Sequence, residues 1–219
     1  MRKSERYAAV LDYFRDNVPD PQGELHWQTP FQLLCAVMLS AQCTDKRVNM
    51  VTPLLFEAYP TVADLAEASV EDVKQIIKSI SYPNAKAEHL VAMARKLISD
   101  YGAEVPSEPK EMEKLPGVGR KTASVVGAIC FGRSVIAVDT HVFRVAHRLG
   151  LSDGKTPSAV QDELESRISK DLHTRAHHWL LLHGRYICTA RAPHCSECPL
   201  TEHCRFFKKS ALQKTTPEV

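Results

Sequence analysis

The chain has 219 residues, 44% of them hydrophobic. That is enough apolar material to bury one large core or two modest ones, and it excludes a disordered chain. The formal charge of +2 neither proves nor excludes a nucleic-acid partner, but its distribution is uneven. From Lys170 to Lys209 there are seven Lys/Arg against three Asp/Glu, so the basic character gathers near the C-terminus, where it serves as a solvated surface or a phosphate-facing patch. The N-terminus MRKSERYAAVLDYF is charged and amphipathic, without the apolar run of a signal peptide. No later stretch approaches about 18 uninterrupted apolar residues, so the expectation is a soluble cytoplasmic protein with no membrane partner.

Apolar spacing is helical almost throughout. Tyr7, Val10, Leu11 and Phe14 share one face of a first helix that Pro19 ends. Thr29-Pro30 offers an N-cap with proline at the first helical position, and the segment from Phe31 to Leu39 is apolar on all sides, which marks a central buried helix. Ser69-x-x-Asp72 has capping-box spacing and leads into Val73, Ile76, Ile77 and Ile80. A further helix runs from about Lys86 to Asp100, with Gly102 as its C-terminal cap. Thr156-Pro157 opens another, and His178 to Leu182 lie in the last long one. Val135 to Val138 has no partner strand and reads as an extended segment. The fold class is all-α, about ten short helices with no visible boundary between lobes, and a loose tail after about Phe207.

Seven cysteines are present, four of them between Cys188 and Cys204. The pattern Cys188-x6-Cys195-x2-Cys198-x5-Cys204 can wrap one centre in a reducing compartment. Zinc and an iron–sulfur cube use the same ligands, and spacing does not separate them. Cys35, Cys43 and Cys130 sit in apolar surroundings and read as small core residues.

The stretch Leu115-Pro116-Gly117-Val118-Gly119-Arg120-Lys121-Thr122-Ala123 predicts a tight glycine hairpin whose amides open toward a helix N-terminus, a ready anion site. A Walker A loop would need glycine where Arg120 stands. In Val138-Asp139-Thr140-His141-Val142-x-Arg144, Asp139 lies where an extended segment meets a helix; its ordinary role is an N-cap, a position compatible with catalysis. His173 and His177 are four residues apart, but no glutamate stands where a metalloprotease helix would put it. With His178 and His183 they read as surface or core histidines.

LPGVGRKTA, VDTHVFRV and the four-cysteine run, together with Leu39-Ser40-Ala41-Gln42-x-Thr44-Asp45 and HHWLLLHGR, resemble in order and separation the bacterial endonuclease III family. These are helix-hairpin-helix DNA glycosylases and abasic-site lyases that act on oxidised pyrimidines. The likeness covers nearly the whole chain. It implies two helical lobes with the DNA site in the cleft between them: a six-helix barrel over 23–133, and a cluster lobe built from 1–22 plus 134–219. It implies that Lys121, first in the helix after the hairpin, is the nucleophile and Asp139 the catalytic carboxylate. Cys188, Cys195, Cys198 and Cys204 become ligands of one [4Fe-4S] cluster, which decides against zinc. Gln42 fills the gap left by the extruded nucleotide, and Asp45, Glu113 and His141 line the base pocket. Gly117, Gly119, Arg120, Arg185 and Arg191 contact DNA.

One segment departs from the family, which has glycine, an apolar wedge residue and tyrosine before Asn84-x-Lys86-Ala87. Here Ser81-Tyr82-Pro83 stands instead, with Tyr82 in the wedge position, where an aromatic ring can stack between bases. A free lysine amine titrates near about 10.4 and attacks only when neutral; burial, Arg120 and the helix N-terminus are the three influences this position offers. The implied partner is double-stranded DNA carrying a damaged pyrimidine or an abasic site, met by a nucleoid-associated monomer. Three other readings compete: a monofunctional adenine-mismatch glycosylase of the same fold, which lacks this lysine; a non-enzymatic DNA-binding module stapled by zinc; and an iron–sulfur redox sensor.

Overall fold

The computed structural model describes residues 1–214, with side chains as far as residue 210. Among the described residues there are twelve α-helices, two short 3-10 turns and no strand. Two compact units emerge, one of Gly23–Arg133 and one of Met1–Gln22 with Ser134–Val219. Helix α1 (Lys3–Asn17) belongs to the second.

The Gly23–Arg133 unit contains α2 (Pro30–Ser40), α3 (Asp45–Ala58), α4 (Val62–Glu67), α5 (Val70–Ile76), α6 (Pro83–Tyr101), α7 (Pro109–Met112) and α8 (Arg120–Phe131). Its centre is α2, buried without a break from Leu33 to Leu39, as a helix apolar on every side must be. Thr29 accepts the Gln32 amide at 3.2 Å and Pro30 takes the first helical position. Ser69 caps the Asp72 amide. The fully reciprocal box lies one helix earlier, where Thr61 and Asp64 each bind the other's backbone amide. α6 starts three residues before the expected Lys86, at Pro83, and ends on left-handed Gly102. Cys35 is buried, whereas Cys43 and Cys130 are only half-buried at the edge of this core.

The other unit joins α1 to α9 (Thr140–Leu149), α10 (Pro157–Arg167), α11 (His173–Tyr186) and α12 (Arg205–Lys214). Phe14 stacks on Trp179 with ring centroids 5.7 Å apart, and the Trp179 indole donates to the Val18 carbonyl at 2.6 Å. Each end of that aromatic pair therefore has a partner, apolar or polar. The Val135–Val138 segment is extended but pairs with side chains: the Ile136 amide donates to Glu165 at 2.8 Å. The four histidines of α11 are all buried, so none is a surface residue. His173 bonds the Ile168 carbonyl and Ser134, while His177 bonds the Ala137 carbonyl, so the pair serves separate backbone segments. The tail expected to be loose after about Phe207 is helical to Lys214, and at the start of that helix Phe206 lies under the Arg148 guanidinium, 4.8 Å from its ring centre. The remainder of that tail, 215–219, lies outside the described residues. No described helix is long and apolar enough to cross a membrane.

α9 and α11 approach most closely at Gly184. A Cβ there would lie 2.9 Å from the Cβ of His141 and 3.1 Å from Val145, closer than packed carbons tolerate. Gly184→Ala is therefore expected to destabilise the protein by about 1–3 kcal/mol, measured as a Tm lowered by several degrees.

Candidate active site and cluster site

The hairpin before α8 is built by opposed demands on its two glycines. Gly117 has φ of 75°, and a Cβ on it would meet the Cβ of His89 at 2.7 Å and Met38 at 2.8 Å, so conformation and space both require glycine. Gly119 has an ordinary φ of −93° and nothing within 4 Å of where its Cβ would be. Its lack of a side chain leaves the mouth of α8 open, and no side chain caps this end through it. Buried Leu115 and Val118 anchor the turn, which the Val118 amide closes onto the Leu115 carbonyl at 3.1 Å. The helix begins at Arg120, so Lys121 is its second residue and not its first. Both are exposed. The helix N-terminus and Arg120 are adjacent to Lys121. Glu113 is exposed at the C-terminal end of α7.

The structure brings Gln42 and Tyr82 together through the residue between them in space, Ser81, whose hydroxyl donates to the Gln42 carbonyl at 2.7 Å. Gln42 and Tyr82 are both non-glycine residues with left-handed backbone, φ 55° and 57°, and Tyr82 is 63% exposed. Behind them the buried Lys86 ammonium donates to the carbonyls of Leu39 at 2.8 Å and Ala41 at 2.6 Å. Burial holds the pKa of Lys86 below the usual lysine value. Asp45 opens α3 behind the Thr44 cap and is half-buried.

In the other unit Asp139 caps α9. Its Oδ1 accepts the amides of His141 at 2.9 Å and Val142 at 2.8 Å, so the helix end fixes the plane of the carboxylate. His141 bonds Arg144 at 3.2 Å. From the same helix, Arg144 donates to the Gly184 and Cys188 carbonyls, and Arg148 to those of Thr189 and Ala190. These two arginines, four residues apart, hold the start of the cysteine loop; their spacing on α9 was the available sequence signal. Arg185 is half-buried at the end of α11 and Arg191 is exposed on the loop.

Cys188, Cys195, Cys198 and Cys204 line a single small pocket with Leu149, Ile187 and His183 among its walls. Burial pushes the Cys198 and Cys204 thiols up, and the neighbouring cysteines push them further. Four soft donors crowded in this way fit a cationic metal core that would ionise them. N–H groups already face the sulfur atoms: Arg148 reaches Cys188 and the Phe207 amide reaches Cys204, each at 3.5 Å. Burial also pushes His183 down to about 4, and its Nε2 lies 3.7 Å from Cys198.

Residues 35–170 match the family model for HhH-GPD superfamily base excision DNA repair proteins, and residues 188–204 match the iron-sulfur binding domain of endonuclease III. The endonuclease III of Rickettsia felis is 48% identical over 205 residues, covering 94% of this chain and 96% of that protein. That of Escherichia coli K12 is 43% identical, covering 95% and 99%. A solved non-covalent endonuclease III–DNA complex superposes with a TM-score of 0.92 at 42% identity, covering 97% of this chain and all of the other. A trapped covalent endonuclease III–DNA intermediate gives 0.91 at 42% identity, covering 96% and 100%. The all-α architecture, the glycine hairpin with its lysine and the four-cysteine cavity thus belong to one family: the chain is a member of the endonuclease III family of helix-hairpin-helix base-excision repair proteins, a DNA glycosylase with abasic-site lyase activity and one [4Fe-4S] cluster.

Proposed function

We propose that the enzyme removes oxidised pyrimidines from double-stranded DNA and cleaves the resulting abasic site, with Lys121 as nucleophile and Asp139 as the assisting carboxylate. The observation that carries this reading is the exposed amine on the second residue of α8, directly behind a glycine whose open face admits a phosphate backbone. The Lys121 lone pair forms a bond to C1′ and the glycosidic bond breaks, its electron pair leaving with the base. The opened sugar becomes a Schiff base on the lysine; loss of the C2′ proton then expels the 3′ phosphate, and water releases the enzyme. Asp139 stabilises the cationic sugar or takes the proton of the attacking amine, and its bonded Oδ1 keeps the group oriented in either role.

Extruding the nucleotide costs a few kcal/mol, least for a ring-saturated pyrimidine that stacks badly. Gln42 fills the vacated space and Tyr82 wedges the duplex, while Asp45, Glu113 and His141 line the base pocket. Gly117, Gly119, Arg120, Arg185 and Arg191 grip the phosphate backbone. Few such contacts give a moderate dependence of binding on salt. Cys188, Cys195, Cys198 and Cys204 hold the cluster; when bound, it supplies a rigid crosslink for the loop bearing Arg191. In this reading the Gly23–Arg133 unit is the barrel lobe, the other is the cluster lobe, and the protein acts on nucleoid DNA as a monomer. Lys121 disfavours the monofunctional adenine-mismatch alternative.

Borohydride reduction on an abasic or thymine-glycol duplex is expected to trap a covalent adduct that Lys121→Ala abolishes; an adduct persisting in that variant would overturn the assignment. Asp139→Asn keeps an acceptor for the cap, so it should fold normally while turnover falls by about 10²-fold or more, as steady-state kinetics with a melting control would reveal. Wild-type turnover would reduce Asp139 to a cap. Purified protein should be yellow-brown with about four iron atoms and four sulfides per chain, and Cys195→Ser should lose that colour; a colourless wild-type zinc protein would refute the cluster ligands.

A further inference from the structure

The turns that carry Gln42 and Tyr82 hold conformations that side chains other than glycine avoid. Ala41 at φ −57°, ψ 114° followed by Gln42 at φ 55° has the form of a type II turn, closed by the Cys43 amide on the Ser40 carbonyl at 3.0 Å. Tyr82, at φ 57° and ψ 53°, is left-handed immediately before Pro83 opens α6. Gln42 and Tyr82 are both exposed; the third left-handed non-glycine residue, Ala103, only follows Gly102 at the end of α6.

Three backbone carbonyls of the first turn accept from the segment that carries the second. Lys86 takes those of Leu39 and Ala41 from the buried side, and Ser81 takes that of Gln42 at the surface. The two donors do different work. Lys86 satisfies the C-terminal end of α2, a structural duty. Ser81 binds the carbonyl of Gln42 itself and is the neighbour of Tyr82 in the chain, so its hydroxyl ties the two turns directly. Pro83 restricts the far side of the same turn. In the family pattern this position is glycine, which has no hydroxyl to make the bond.

We propose that Ser81 is a positioning residue that locks the Gln42 and Tyr82 turns together, so that gap filling and wedging occur as one event. This rests on the DNA-inserting roles given to those two side chains above. Glycine at 81 would let each turn adjust separately and accommodate more opposite bases; serine makes insertion concerted and more demanding of the duplex.

The test is a mutant cycle on the cluster-loaded full chain, reading nucleotide extrusion by stopped-flow fluorescence of 2-aminopurine placed beside an abasic-site analogue. With Ser81 present, Gln42→Ala and Tyr82→Ala should be coupled, the double variant losing about two- to tenfold less rate than the product of the single losses. In Ser81→Ala the two losses should multiply, and Ser81→Thr, which keeps the hydroxyl, should restore the coupling. A loss of general stability would not make the two effects independent. Coupling of equal size with and without the hydroxyl, or multiplying losses already present with Ser81, would overturn the lock while leaving the inserting roles intact. If neither Gln42→Ala nor Tyr82→Ala slows extrusion, those roles fall and the lock falls with them.

Discussion

A protein made of short helices has to satisfy many helix ends, and the carbonyl ends are the harder half. Each α-helix leaves four amides and four carbonyls without intrahelical partners. Here the amide ends are met locally, by the side chains of Thr29, Thr44, Thr61, Ser69, Asp139 and Thr156. Some carbonyl ends close on left-handed glycines, at Gly102, Gly132 and Gly150. Others are met by long cationic side chains arriving from elsewhere in the same unit. Lys86 serves the end of α2, Arg95 the Ala66 carbonyl at the end of α4, and Arg6 the carbonyls of Gly150 and His203. A hydrogen bond to a charged donor contributes about 1.5–3 kcal/mol, roughly twice a neutral one, which is why so few such donors suffice.

The same constraint explains where the chemistry lies. The cysteine loop after α11 has little regular structure beyond the 3-10 turn Thr201–His203, so its backbone groups need outside partners. Arg144 and Arg148 provide them at Gly184, Cys188, Thr189 and Ala190. The helix that supplies both arginines starts at Asp139. One element therefore holds the cluster loop at its middle and end and a carboxylate at its beginning. Gly184, by letting α11 lie close against His141 and Val145, makes that helix pair tight enough for the arginines to reach. The glycine hairpin before α8 uses the opposite device, a helix mouth with open space where a capping side chain would otherwise sit.

Features decided within a few residues were legible in the sequence. Thr29-Pro30, Thr156-Pro157 and Ser69 announce helix starts because a cap and its amide are three residues apart. Asp139 was legible as a cap for the same reason. The four cysteines were legible as one metal site, whereas zinc and iron could not be separated by spacing. What the sequence concealed depends on partners far along the chain. Arg148 over Phe206 fastens the start of the C-terminal helix, a contact across more than fifty residues. Lys86 is one lysine among many until α2 places two orphan carbonyls in front of it. The left-handed states of Gln42 and Tyr82 leave no local signal, since neither position carries the glycine or asparagine that would betray it. Lys121 was legible as a helix-start lysine, but its exposure depends on how the hairpin is anchored by Leu115 and Val118, both facing inward.

The balance of energies at the Gln42 and Tyr82 turns shows why those hidden partners are needed. A left-handed non-glycine residue costs about 1–2 kcal/mol, so the pair costs roughly 2–4 kcal/mol. The two bonds of Lys86 return roughly 3–6 kcal/mol before the cost of burying its ammonium is subtracted. The two sides are of the same order, so the turns are held by a margin of a few kcal/mol at most. One more hydrogen bond of about 0.5–1.5 kcal/mol is then large relative to the margin. It decides whether these exposed side chains wait in a single geometry or sample several. Ser81 supplies that bond at the Gln42 carbonyl, which Lys86 does not take, and so lets one half-buried hydroxyl govern the behaviour of two residues on separate turns.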